Sequence, residues 1–197
     1  MNNLFSLLIA AALLISGVAK AQLPWMPDEA KLNAARGMLA RMDQLEVGVD
    51  GSDTDKLAGA LHAVTGMATR IDNWGLENII SEMPVAATLS TPEMPHPIVQ
   101  AIANYGVCGV SLHPELVEDE EEKLFMVAAE FSVFIISGYL RAQYIDDGGT
   151  DEALKTHLTS ESMESFSRAI QTSQEQLSAN LEKCQPFFLK VIGSADA

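Results

Sequence analysis

Seventeen consecutive residues in the middle of the chain, 124–140, carry only one charge, that of Glu130. This stretch would be apolar on every side of a helix, which is typical of a helix that other helices surround. A membrane span is the alternative, but seventeen helical residues reach only about 25 Å and would place Glu130 near the bilayer centre. We therefore expect residues 116–144 to form one long helix at the centre of a helical domain.

The rest of the chain has helical periodicity as well, because apolar residues recur at steps of three and four. Further helices are predicted at residues 26–45, 54–73, 76–83, 97–105, 150–158 and 159–185. Pro186 is expected to end or kink the last of these, with the apolar residues 187–192 packing back onto the body of the protein. No segment alternates convincingly at period two, and no internal repeat is present. The sequence predicts an all-α, single helical-bundle-like domain of about six or seven helices around the apolar central helix.

The first residues have the pattern of a signal peptide. Residues 4–18 are an apolar run of suitable length, and Ala19-Lys20-Ala21 has the small-x-small pattern of a cleavage site. The alternative is an uncut membrane anchor, which the shortness of the run disfavours. We expect residues 1–21 to be a cleaved signal peptide and residues 22–197 to form the all-α domain, in the periplasm or secreted.

The two cysteines, Cys108 and Cys184, agree with export. They are too far apart for a Cys-x-x-Cys redox pair, and neither follows the predicted cleavage site. In an oxidising compartment two lone cysteines usually pair with each other, so a disulfide between them is predicted. Two buried free thiols are the alternative.

The charge of the chain excludes one class of partner. Lys and Arg number 12 against 27 Asp and Glu, which gives a net charge of −15. Nucleic-acid binding needs a basic face for phosphate contacts, so nucleic acid is not expected as a partner. A strongly acidic protein is instead suited to a basic protein surface.

Motifs that carry chemistry are missing from the sequence. It has no Gly-x-Ser-x-Gly, no His-Glu-x-x-His and no phosphate-binding Gly-x-x-x-x-Gly-Lys loop. Its four histidines are isolated, and we expect His96 and His113, which each precede a proline, to be exposed loop residues. The sequence therefore predicts no catalytic residue, no metal and no cofactor.

Glu130 allows two interpretations. A carboxyl group buried in the central helix could have a raised pKa and act as an acid or a ligand. Alternatively it could form a structural ion pair with an arginine of a neighbouring helix, such as Arg41 or Arg70. We favour the structural role, because no second catalytic group is visible near Glu130 in the sequence.

Two segments are candidates for partner binding. One is an acidic run near the start of the central helix, for which a merely solvated helix end is the alternative. The other is the loop at residues 84–97, which contains four prolines, since long loops tend to be functional. The candidate contacts are Glu118, Asp119, Glu120, Glu121, Glu122, Leu89, Met94, His96 and Ile98.

These observations favour an exported, non-catalytic helical protein that acts by binding another protein, such as an inhibitor, an immunity-type protein or an assembly factor. The alternative is a helical carrier that holds a lipid or another small hydrophobic ligand beside the central helix. A third possibility is an enzyme of unknown class that uses Glu130 or His62.

Overall fold

The computed structural model describes residues 25–82, 96–158 and 174–193. Within these ranges the chain forms seven α-helices, one 3₁₀ turn and no strand, so the predicted all-α architecture is confirmed. The predicted signal peptide lies outside the described residues, as do most of the proline-containing loop and the start of the predicted last helix. The helices are α1 (Asp28–Gln44), α2 (Asp53–Trp74), α3 (Leu76–Ser81), α4 (Pro97–Val110), α5 (Glu120–Asp146), α6 (Asp151–His157) and α7 (Gln174–Ile192).

The central apolar helix is α5, as expected, but it begins at Glu120 and not at Leu116, because Leu116 belongs to the preceding 3₁₀ turn. It packs against α1, α2, α4 and α7, and residues such as Val127 and Leu140 are completely buried. Among the described residues α5 is the one helix that is long and apolar enough to cross a membrane, but 61% of its most apolar window is buried inside the protein. It therefore serves here as the core helix around which the others assemble.

Several helices begin at the polar residues that favour helix starts. Ser52 and Asp55 form a reciprocal capping box at α2, in which Ser52 Oγ accepts from the Asp55 amide at 3.3 Å and the Asp55 carboxylate accepts from the Ser52 amide at 3.1 Å. Asp119 caps α5, and Thr150 caps α6. Each cap satisfies a backbone N–H group that has no partner within its helix.

Helix α4 is longer than the sequence suggested. We expected it to end near Tyr105 because Gly106 and Gly109 follow, but it continues to Val110. Gly109 lies where α4 meets α5, and a Cβ atom there would be 3.3 Å from Val133. Close packing of the two helices thus outweighs the cost of about 1 kcal/mol per helical glycine.

Helix α7 runs through Pro186 to Ile192, so Pro186 does not end it. Phe188 and Val191 are buried in the core, which confirms that the apolar tail packs back onto the body. Gly193 ends the helix at a positive φ of 75°, and its amide donates to the carbonyl of Leu189. Burial of Cys184 before the proline and of Phe188 after it therefore outweighs the cost of the helical hydrogen bond that Pro186 cannot donate.

Cys108 of α4 and Cys184 of α7 form the predicted disulfide, with their Cα atoms 5.8 Å apart. Both residues are almost completely buried. The bond joins the two helices through cysteines that are 76 positions apart in the sequence, and it fixes α7 against the core.

Candidate functional site

The side chain of Arg41 connects three elements at one end of the bundle. Its Nε donates to Glu130 Oε2 at 3.0 Å and its Nη2 to Glu130 Oε1 at 3.3 Å. The same Nη2 donates to Glu115 Oε2 at 3.3 Å, and Nη1 donates to Gln44. One guanidinium group of α1 therefore holds both α5 and the 3₁₀ turn, Pro114–Leu116.

Glu130 forms the structural ion pair that was predicted, with Arg41 as its partner. Both side chains are only 11% exposed. Burial raises the pKa of Glu130, while the hydrogen bond and the charge of Arg41 oppose that rise. Arg70, the other candidate partner, lies elsewhere and donates to the backbone carbonyl of Val191 near the end of α7.

This arrangement holds α1 and the central helix together. Both carboxylate oxygens of Glu130 accept hydrogen bonds from the same guanidinium group, so the carboxyl takes part in a bidentate ion pair that joins α1 to α5. Among the described residues, no three His, Cys, Asp or Glu side chains lie together so that they could hold a metal ion. The network at Arg41 is therefore an anchor for the surface next to it.

That surface begins at the 3₁₀ turn. Glu115 contacts Arg41 on one side and His113 Nδ1 on the other, at 3.4 Å. Pro114 is buried, and the amide of Leu116 donates to the carbonyl of His113 at 3.0 Å. The turn is thus fixed at several points, yet the side chain that it presents, Leu116, is 69% exposed.

The acidic run follows the turn directly. Asp119 is the N-cap of α5 and accepts from the Glu122 amide at 2.9 Å, and three further acids lie in the first helical turn. In the described ranges no Lys or Arg forms an ion pair with residues 118–122, and Lys123 donates instead to the backbone carbonyl of Leu45. Leu124, one turn further along, is 40% exposed. We call this surface the acidic end; it comprises Glu115, Leu116, Glu118, Asp119, Glu120, Glu121, Glu122 and Leu124.

Only the last two residues of the second candidate segment, the loop at residues 84–97, are described. Leu89 and Met94 lie outside the described residues. His96 is not the exposed loop residue that we expected, because it is half-buried, caps α4 by accepting from the Ile98 amide, and packs its ring edge-to-face on Tyr144. Ile98 was expected to contact a partner, but this was wrong, because it is only 2% exposed and belongs to the core.

Two polar clusters were not foreseen from the sequence. Arg141, in the last part of α5, is buried and donates to both carboxylate oxygens of Asp151 at 2.8 and 2.6 Å. Glu82 accepts from Trp74 Nε1 at 3.2 Å and pairs with Lys190, whose ammonium group lies over the Trp74 ring. A buried arginine requires a carboxylate nearby, so an arginine in a buried helix was a usable signal for the first cluster. The second cluster has no such signal, because its members come from three separate elements.

Comparison of the chain with protein-family models, curated proteins and solved structures finds no match. What the protein does is therefore inferred from its own residues.

Proposed function

We propose that this chain is an exported, non-catalytic helical protein that binds another protein through its acidic end. The observation that carries the proposal is the exposed carboxylate run of residues 118–122, which no described Lys or Arg neutralises, next to the exposed side chain of Leu116. The partner that fits this surface presents Lys or Arg side chains around an apolar contact.

The charges and the leucine would act at different stages of binding. Carboxylates at the rim of an interface mainly accelerate the encounter with a basic partner, and salt weakens this effect. An apolar side chain contributes after contact, when its surface is removed from water. Glu118 to Glu122 would therefore set the association rate, whereas Leu116 would set the rate of dissociation.

The anchoring of the turn supports the same proposal. Glu115 is held by Arg41, which is itself fixed by Glu130 in the core. A surface that is already ordered before binding loses less conformational entropy when a partner arrives. The buried network and the exposed surface thus belong to one arrangement.

Two further features support export. The disulfide between Cys108 and Cys184 is typical of proteins that fold in an oxidising compartment, and the first residues have the pattern of a cleaved signal peptide. Intact-mass analysis of the exported protein should show a chain that begins at Gln22. A full-length chain in a reducing compartment would contradict this part of the proposal.

The binding proposal is tested by capture of partners from the exported fraction, at low salt and again at about 0.5 M salt, where screening is severe. The wild-type protein is compared with a variant that carries Glu120→Gln, Glu121→Gln and Glu122→Gln. The matched control carries Asp28→Asn, Glu29→Gln and Asp53→Asn, because these three acids also lie exposed in the first turns of helices, but at α1 and α2.

We expect one basic protein to bind the wild-type chain and the control at low salt, and to be lost both at high salt and from the triple variant. Equal capture by the triple variant would exclude the acidic end as the binding surface. If a lipid or another apolar molecule copurifies instead of a protein, the carrier function replaces this proposal.

A further inference from the structure

The sequence contains two Asp-Gly steps, at residues 50–51 and 147–148. In such a step the backbone nitrogen of the glycine can attack the side-chain carboxyl carbon of the aspartate, because glycine has no side chain to obstruct the approach. In a folded protein the attack also requires that this nitrogen is free to move and is not held in a hydrogen bond. The two steps differ in this respect.

The step at Asp147 and Gly148 is held in place. Asp147 is the C-cap of α5, and the amide of Gly148 donates to the carbonyl of Ile145 at 3.0 Å. The next amide, that of Gly149, donates to the carbonyl of Tyr144 at 2.9 Å. The ψ angle of Asp147 is 3°, so the Gly148 nitrogen eclipses the nitrogen of Asp147 and not its Cβ atom. A five-membered ring through Cβ needs that nitrogen on the side of Cβ, so the folded chain opposes ring closure here.

The step at Asp50 and Gly51 has no such restraint. Both residues are exposed, and they lie between α1 and α2, outside any helix. The Gly51 amide donates no hydrogen bond to any residue that the structure describes, whereas the following amide, that of Ser52, donates to Asp55. Gly51 has a positive φ of 118°, and a Cβ atom there would lie 3.2 Å from that of Asp55. The start of α2 therefore favours the same glycine that makes the step reactive.

We propose that Asp50 is a site of spontaneous isomerisation to isoaspartate in the folded protein, and that Asp147 is protected from this reaction. The Gly51 nitrogen bonds to Cγ of Asp50, and its proton leaves with the carboxyl hydroxyl as water, which gives a cyclic succinimide. Bulk water then hydrolyses the ring. Opening at Cγ restores aspartate, whereas opening at the main-chain carbonyl carbon leaves Cγ bonded to Gly51 and converts the former main-chain carbonyl into a free carboxylate. The water released in the first step equals the water taken up in the second, so the mass is unchanged.

The product adds one carbon atom to the main chain directly before α2. Ser52 and Asp55, which form the capping box of this helix, follow at once. Isomerisation would therefore alter the backbone at the point where the first turn of α2 is capped. The proposal depends neither on the acidic end nor on export.

The test is incubation of the folded protein, with its disulfide intact, at physiological temperature and neutral pH, followed by digestion with trypsin. Trypsin cleaves after Lys and Arg, so the two steps fall on separate peptides, 42–56 and 142–155. Chromatography separates the isoaspartate form of each peptide at unchanged mass, and electron-transfer fragmentation assigns its position. We expect isoaspartate to accumulate at Asp50 about tenfold faster than at Asp147, the factor that corresponds to first breaking one hydrogen bond.

Two controls separate the effect of the fold from that of the sequence. In guanidinium chloride the difference between the two sites should disappear, because both are then unrestrained Asp-Gly steps. Asp50→Glu retains the charge at an exposed position but can close only a larger ring, so peptide 42–56 of this variant should gain no isomer.

Three results would overturn the proposal. The first is an absence of isoaspartate at Asp50 in the folded protein. The second is isomerisation at Asp147 that is as fast as at Asp50 before unfolding. The third is a ratio between the sites that stays the same after unfolding, which would show that the hydrogen bond of Gly148 gives no protection.

Discussion

Arg41 and Glu130, which are 89 positions apart in the sequence, meet inside the bundle through two hydrogen bonds between one guanidinium group and one carboxylate. The pair joins the first helix to the central helix. Because Arg41 also binds Glu115, the same side chain connects the core with the turn that presents Leu116. A buried charge thereby positions an exposed surface.

Glu130→Gln should change how stability depends on pH. Burial raises the pKa of Glu130 above its ordinary value of 4.5 and outweighs the opposing effect of Arg41. A carboxyl whose pKa is higher in the folded state binds more protons when folded, so its contribution to stability is largest at low pH and is lost as the pH rises through the raised pKa. Urea unfolding between pH 4 and 7 should therefore show the wild-type protein losing stability relative to Glu130→Gln as the pH rises.

The control for this experiment is Glu115→Gln, which removes the exposed carboxylate from the same arginine. It retains Glu130, so the loss of stability with rising pH, measured against the double variant Glu115→Gln, Glu130→Gln, should persist but be smaller, because the charge of Glu115 contributes to the rise in the pKa of Glu130. If the wild-type protein instead gains stability over Glu130→Gln as the pH rises, the ion pair outweighs desolvation and the pKa of Glu130 is lowered.

Removal of the disulfide should destabilise the protein strongly. In the chain-entropy model a cross-link over 76 positions stabilises the folded state by about 4–5 kcal/mol. The double variant Cys108→Ala, Cys184→Ala removes the link without leaving a free thiol, and its free energy of unfolding in urea should be lower by roughly that amount. Ready labelling of both cysteines in the folded wild-type protein would show that the bond is absent.

The sequence predicted those elements that depend on periodicity. The repeating apolar positions of α1 and α2 extend over many turns, so these helices could be predicted, and the central place of α5 followed from the lack of a polar face along residues 124–140. The ends of helices were less predictable, because tertiary packing overrides local preference. Gly109 and Pro186 are unfavourable in an isolated helix, yet both lie inside one where neighbouring residues are buried.

The sequence predicted that Glu130 has an arginine partner, but it did not determine which arginine. A lone acid in an apolar helix needs a cation, so an arginine partner for Glu130 was expected, but the choice between Arg41 and Arg70 depends on how the helices pack. Glu115 was missed because its importance lies in its contact with Arg41, which is remote in sequence.

Two glycines should respond in opposite ways to alanine. The ring of Tyr144 occupies the space that a Cβ atom at position 149 would need, so Gly149→Ala should destabilise the protein by roughly 1–3 kcal/mol. Gly59 lies exposed in α2 with nothing within 4 Å of such an atom, so Gly59→Ala should stabilise the protein by about 0.5–1 kcal/mol. Thermal unfolding of both variants measures the contrast, and an unchanged stability of Gly149→Ala would show that the ring lies elsewhere.

Asp151→Asn should reveal the contribution of the second buried arginine. Arg141 is 5% exposed and donates to both carboxylate oxygens of Asp151, so loss of that charge should cost about 1.5–3 kcal/mol. Asp28→Asn is a close control, because Asp28 is likewise the first residue of its helix and pairs with a cation, Lys31, but is 97% exposed. Both substitutions remove an acid from a helix start, so the difference in free energy of unfolding between them isolates the pair with Arg141. If urea unfolding shows that Asp151→Asn and Asp28→Asn lower the free energy of unfolding equally, the ion pair between Arg141 and Asp151 adds no stability of its own.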